Sequence, residues 1–179
     1  MTDKADNRPS PESFLAEAKR EARGKLKIFL GAAPGVGKTF AMLRAAQSRL
    51  KEAVDVAVGI VETHQRSDTN AMLEGLEVIA RRGIEYRGLC FWEMDVEAIL
   101  KRAPKLVLID ELAHTNIPGS KHPKRYQDVV EILDAGIDVY STLNIQHIES
   151  LNDIVTRITG VAVRETVPDS IVQNADAIE

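Results

Sequence analysis

Short apolar runs alternate along this chain with amphipathic ones, and that alternation predicts its elements. "KLKIFLG", Lys25 to Gly31, predicts a strand. "KTFAMLRAAQSRLKEA" follows, with Leu43, Ala46 and Leu50 at helical spacing. "VDVAVGIVE" is β-branched and apolar on both faces, as a covered strand must be. "TNAMLEGLEVIARRG" puts Met72, Leu76 and Ile79 on one stripe, which predicts a helix with Gly83 as its C-cap. "IEYRGLC" predicts one short strand. Asp95 is placed to cap a helix through Leu100, with Pro104 marking its end. "KLVLID" is a continuous apolar strand. Tyr126, Val129, Val130 and Leu133 give an i, i+3, i+4, i+7 face. "IDVYSTLN" predicts another strand, and Ile148, Leu151, Val155 and Ile158 a last helical stripe. Ahead of all these, residues 1–9 read as a disordered tail. Ser10-Pro11-Glu12 has the residues of a helix start, running to about Arg23, where Gly24 breaks it.

Strands apolar on both faces, alternating with amphipathic helices, predict an α/β fold: a mostly parallel sheet with helices on both faces. The final "VAVRETVPDSIVQNADAIE" shows no clear element beyond a candidate strand at Val161–Val167, and it reads as the edge of something that continues. The chain therefore divides into a tail and short helix (1–24), an α/β domain (25–160) and a C-terminal extension (161–179). No repeat interrupts it.

Composition narrows the function classes. The 179 residues are 44% hydrophobic and 28% charged, which suits one soluble domain with a sizeable core. A net charge of −4 lacks the basic excess of a protein built to hold nucleic acid. Aromatics are only 4%, too few for single-strand stacking platforms. Cys90 is the single cysteine, so no internal disulfide forms, and a reducing cytoplasm is expected. Its expected role is that of a small buried hydrophobe. No apolar run is long enough to cross a bilayer, and the polar N-terminus is no signal peptide.

The chemistry concentrates after the first strand. "FLGAAPGVGKTFAML" approaches the phosphate-cradling pattern G-x-x-x-x-G-K-[ST], with Ala32 where the first glycine should stand and Gly31 one place early. Its place between a predicted strand and a predicted helix is what the mechanism requires. Ala32, Ala33, Pro34, Gly35, Val36 and Gly37 would wrap phosphate oxygens with backbone groups, helped by the helix N-terminus. Ala32 is tolerable there if its backbone angles are ordinary. Lys38 would reach the β- and γ-phosphates, and Thr39 would ligate Mg²⁺. This is the signature of a P-loop NTPase-like fold. "LVLIDE" brings two carboxylates to the ligand edge of the sheet. Asp110 would hold Mg²⁺ or one of its waters. Glu111 is either a base that deprotonates an attacking water or hydroxyl, or a solvated helix-start acid.

Other strands end in polar groups at the same edge: Glu62, Thr63 and His64; His114, Thr115 and Asn116; Thr142, Asn144 and His147. Asn144 or Thr142 would contact the γ-phosphate. The wide spacing of the histidines is no ligand signature, so Mg²⁺ is the only metal implied. Lys121, His122, Lys124 and Arg125 form either a solvated loop or a mobile anion-binding one. No N-K-x-D run supports guanine, and ATP is the nucleotide left by elimination.

These stretches, with "VETHQR", "LVLIDELAHTN", "PGSKHPKRYQDV", "ILDAGIDVYSTLNIQHIESLND" and "VRETVPD", closely resemble the N-terminal cytoplasmic domain of the KdpD sensor histidine kinases. The resemblance runs from about Arg8 to Asp169, with one departure at Gln65, where the family often has glycine. It implies a longer parent: a universal-stress-like domain, a membrane-spanning segment and a histidine-kinase core, with this chain as the cytoplasmic domain of an inner-membrane protein. It implies ATP at Ala32–Thr39, Mg²⁺ at Asp110, and a regulatory role over the kinase and phosphatase output that controls potassium uptake. The implied partners are the sensor's other domains and its response regulator, with no nucleic acid and with membrane only through the parent. The oligomeric state is not indicated. Two other functions stay open: a phosphotransferase using Glu111 as base, in an arrangement similar to thymidine kinase, and a mechanical ATPase with basic fingers supplied in trans. In the regulatory reading, Mg-ATP is expected to order Glu62–Thr69 and Asn116–Arg125.

Overall fold

The computed structural model describes residues 21–63, 67–160 and 163–179. The expected helix start at Ser10, with His64 and Gln65, lies outside the described residues. The elements run β1 (Leu26–Gly31), α1 (Lys38–Lys51), β2 (Val56–Ile60), α2 (Ser67–Ala71), β3 (Glu77–Val78), β4 (Arg82–Tyr86), β5 (Leu89–Glu93) and α3 (Val96–Arg102). They continue with β6 (Leu106–Ile109), α4 (Arg125–Asp134), β7 (Asp138–Asn144), a 3-10 turn (Ile145–His147), α5 (Glu149–Thr159), α6 (Asp169–Gln173) and β8 (Ala177–Ile178).

Six strands form one sheet in the order β3-β2-β6-β7-β1-β8. Every pair in it is parallel. Alternate residues of the central strands feed two separate cores. Ile28, Ala57, Val107 and Val139 face one side, with Ile99 of α3 and Val129, Ile132 and Leu133 of α4. Phe29, Val58, Leu106 and Leu108 face the other, with Met42, Leu43 and Ala46 of α1. Residues of β2 and β6 are buried throughout, which is why these strands read as continuous apolar runs. Each fully buried Ile or Leu contributes about 1.5–3 kcal/mol. The α/β fold with helices on both faces is therefore as expected.

The topology also sets the site. β7 lies between β1 and β6, in registers that pair Gly31 with Asn144 and Ile109 with Ser141. The C-terminal tips of these three strands stand side by side, so the loop after β1 and the acids after β6 face one another across the tip of β7.

Several expectations fail. The helix predicted over Thr69–Gly83 stops at Ala71. The chain turns through Gly75, at φ 78°, and enters β3. Leu76 and Ile79 then belong to opposite cores, because residues an odd number apart on an extended chain point to opposite faces. Gly83 lies in β4 rather than at a helix end. "IEYRGLC" is not one strand but the bend of an antiparallel hairpin, β4–β5. Arg87 and Gly88 both have positive φ, 52° and 78°, the requirement of a tight two-residue turn. Cys90 lies exposed on that hairpin, not buried. The α5 stripe is half-covered at Leu151 and Val155 but leaves Ile158 79% exposed. The described part of Val161–Val167 carries only an isolated bridge from Val167 to Ile148. The chain after it makes α6 and then β8, which pairs with the outer edge of β1. Among the described residues, no helix is long and apolar enough to cross a membrane.

Candidate functional site

The loop between β1 and α1 is shaped by its glycines. Gly35 and Gly37 have φ of 80° and 97°, a region that side chains disfavour. Ala32 is not among the positive-φ residues, so it carries no left-handed strain. The early glycine has its own reason. A Cβ on Gly31 would lie 2.6 Å from Lys38 Cδ and 2.7 Å from Val36 Cγ2. The Lys38 and Val36 side chains pack over Gly31, and a Cβ there would force them to shift.

Gly37 stands at the N-cap of α1 and supplies no side-chain cap, and the first turn holds no acid. The first N–H groups of a 14-residue helix are thus left for an anion. Lys38 Nζ donates to Ala33 O at 3.1 Å. Burial lowers the Lys38 pKa, and the nearby Asp110 and Glu111 carboxylates oppose that shift. Such an amine gains when a phosphate replaces a neutral carbonyl as its partner.

Asp110 follows β6 and is only 2% exposed. Its carboxylate gathers donors from four places. Thr39 Oγ1 of α1 lies 3.1 Å from Oδ2. The Glu62 amide after β2 donates to Oδ2 at 3.3 Å, and the Glu111 amide to Oδ1 at 3.1 Å. The Thr142 hydroxyl of β7 donates to Oδ1 as well. Glu111 itself is exposed, with φ 56°. Its N–H also reaches Thr142 Oγ1 at 3.0 Å.

Between loop and strand tips lies a cavity of about 190 Å³. Of the sequence candidates it is lined by Pro34, Gly35, Gly37, Lys38, Thr39, Asp110, Glu111 and Asn144. Ala32, Ala33 and Val36 do not line it, and Val36 points out to solvent at 57% exposure. Thr142, Glu62, Thr63, His114 and His147 also reach it. Asn144 Oδ1 is buried with no hydrogen-bond partner among the described residues. Glu62 is engaged by Arg81 at 2.8 Å.

The basic run is partly the solvated loop the first reading expects, with Lys121 exposed, but its side chains are paired with neighbours rather than free to seize an anion, and Arg125 is buried. Lys121 and His122 are 2.5 Å and 2.8 Å from Glu131 on α4. Lys124 Nζ donates to Thr115 Oγ1 at 2.7 Å. Arg125 is 98% buried, with Nη1 on the Asp110 carbonyl at 2.9 Å and Nη2 3.4 Å from Glu93. Asn116 is fixed by Asp128 and His122. The segment is already fastened.

Sequence reasoning missed Glu165. It lines the cavity, takes the Thr115 N–H at 2.8 Å, and its carbonyl lies 2.7 Å from His147 Nδ1. It also missed the burial of Glu93 at the foot of the hairpin. No local pattern signals either, because their partners lie 18 to 50 residues away in the chain.

Chemically, the cavity offers helix and loop N–H groups, one lysine, and a hydroxyl–carboxylate pair of hard oxygens. That set could hold a phosphate group together with a small divalent cation.

The family model described as "KdpD: Osmosensitive K+ channel His kinase sensor domain" matches residues 22–179. The chain is 58% identical over 170 residues to a Sensor protein KdpD of Mycobacterium tuberculosis, covering 95% of this chain and 20% of that one. It is 54% identical over 171 residues to the Sensor protein KdpD of Escherichia coli, with 96% and 19% covered. The Sensor protein KdpD of Clostridium acetobutylicum is 51% identical over 176 residues, with 96% and 20% covered. The chain thus spans about a fifth of the length of these curated relatives.

Proposed function

The chain belongs to the KdpD sensor-domain family, and from that premise we propose that it is an ATP-binding regulatory input domain of a membrane sensor histidine kinase. Its occupancy by ATP tunes the kinase and phosphatase output that governs potassium uptake. The domain works on the cytoplasmic side of an inner membrane that only the parent chain enters. Its partners are the other domains of the sensor and the cognate response regulator.

The observation that carries the nucleotide reading is the Thr39–Asp110 pair, 3.1 Å apart at the first turn of α1 and facing Lys38. A hydroxyl and a carboxylate at the head of an uncapped helix suit a metal-bound phosphate. Asn144 Oδ1, buried and lacking a donor, fits the same ligand, since a metal-bound water supplies one. In this reading Pro34, Gly35 and Gly37 of the loop enclose the phosphates, Lys38 pairs their charge, and Thr39 and Asp110 would hold Mg²⁺. The metal supplies charge neutralisation on the phosphate oxygens. Lys38→Ala tests the assignment. The side chain pairs with a loop carbonyl rather than the core, so the variant should fold. Losing a charge-assisted contact of about 1.5–3 kcal/mol should weaken Mg-ATP binding by roughly ten- to a hundredfold in a calorimetric titration. Unchanged affinity in the folded variant would sink the phosphate-loop assignment.

A second reading is a phosphotransferase in which Glu111 activates an acceptor hydroxyl. What favours it is the position of Glu111, exposed at the cavity with its amide held by Thr142 and Asp110.

A further inference from the structure

Four non-glycine residues have positive φ among the described residues: Ala53, Arg87, Ala103 and Glu111. Three of them serve chain reversal. Ala53 follows the end of α1, Arg87 makes the hairpin turn, and Ala103 is the left-handed C-cap of α3. Glu111 alone lines the cavity. A glutamate does not enter the left-handed region without cost, so something must hold it there.

The peptide unit between Asp110 and Glu111 is gripped at both ends. Its N–H end is shared by Thr142 Oγ1 at 3.0 Å and Asp110 Oδ1 at 3.1 Å. Its carbonyl end accepts from Arg125 Nη1 at 2.9 Å. Arg125 is in turn anchored from behind. Its own amide donates to His114 O at 3.1 Å, and Nη2 faces Glu93. Glu93 is fixed by the Ile117 amide and lies 3.0 Å from His114 Nε2.

We infer that Arg125 is the positioning residue of this site: its guanidinium fixes the Asp110–Glu111 peptide and so holds Glu111 in the left-handed conformation in which it lines the cavity. A buried guanidinium is costly to desolvate, and its Nε finds no partner among the described residues. Simple packing at this position needs only an apolar side chain. A lysine would keep the charge but lose the fork that spans a carbonyl on one side and a carboxylate on the other. Only the consequence for ATP chemistry rests on the function proposed above. The backbone claim stands without a nucleotide.

The test is a double-mutant cycle between Arg125→Lys and Glu111→Gly, read in urea unfolding without nucleotide, together with hydrogen exchange at the residue-111 amide. Glycine relieves the left-handed strain, so Glu111→Gly should raise the folded-to-unfolded ratio by about threefold in the parent. In the Arg125→Lys background that gain should vanish, because the released peptide no longer forces the conformation. The Glu111 amide of Arg125→Lys should also exchange at least about tenfold faster relative to the β6 amides. Glu93→Gln, which loosens the anchor without touching Asp110, should give a smaller change of the same sign. It serves as the second variant if Arg125→Lys does not fold. Additive effects, with parental protection at residue 111, would overturn the positioning role and leave Arg125 as a packing residue. The Lys38→Ala titration decides the nucleotide reading separately, so the two failures are distinguishable.

Discussion

At the scale of single residues, the two acids after β6 divide the labour of the site. Asp110 is buried under four donors and stays fixed, whereas Glu111 is exposed to the cavity. Replacing Glu111 by Gln keeps the shape and removes the base. Mg-ATP affinity should then be nearly unchanged, while any hydrolysis or transfer falls by about two to four orders of magnitude. Phosphate release measured side by side with calorimetric titration checks this. Parental turnover in Glu111→Gln would make the residue structural. The loop and both acids were legible in the sequence because each is a contiguous run with a fixed local geometry. The left-handed angle of Glu111 was not, since it is imposed by Thr142 and Arg125, distant in the chain. Gly31 shows a third case. Its displacement looked like an imperfect match, and gains a packing reason only when the Lys38 and Val36 side chains are seen over it.

At the scale of elements, the strands of the parallel sheet announced themselves by being apolar on both faces. The β4–β5 hairpin did not, because one face is open and the other only half-covered at Ile84, Tyr86 and Phe91, and Leu89 and Trp92 remain more than 60% exposed. A two-stranded ribbon is marginal alone, so its attachment at Glu93 matters. Burial raises the Glu93 pKa. The hydrogen bond and charge of His114, then the Ile117 amide and the Arg125 charge, more than reverse this and hold it below the ordinary glutamate range. A carboxylate depressed in the folded state stabilises it above the unfolded pKa, about 4.3, and loses that contribution as pH falls. Asp128 works the other way over the same range, because burial raises its pKa. We expect the urea midpoint of the parent to fall between pH 6 and pH 3, and Glu93→Gln to shed part of that slope. At neutral pH the variant should be less stable by about 1–3 kcal/mol, as Arg125 loses a charged partner. Identical pH profiles for the two proteins would show that the Glu93 pairing contributes nothing.

At the scale of the whole molecule, ligand binding should be felt along the lining of the cavity. Thr63 and Thr69 reach it from either side of the segment after β2. The expectation that Asn116–Arg125 also orders on binding does not suit the structure, where Asn116, Lys121, His122, Lys124 and Arg125 are already engaged. Amide exchange with Mg-ATP should therefore show new protection at Gly35–Thr39 and around Thr63 and Thr69, with Asn116–Arg125 unchanged. New protection across Asn116–Arg125 would instead make that segment part of the moving unit. Such measurements need a spectroscopic readout, and the hairpin decides which one. The chain has one tryptophan and one cysteine, Trp92 and Cys90. They are two apart on β5, on the same face, and both are exposed. Indole emission thus begins close to its value in water and shifts little when the sheet melts. A fluorescence melt follows the fate of the hairpin and is blind to the core, whereas far-ultraviolet circular dichroism follows the helices. The solitary thiol takes a single maleimide dye, beside the only indole able to quench it.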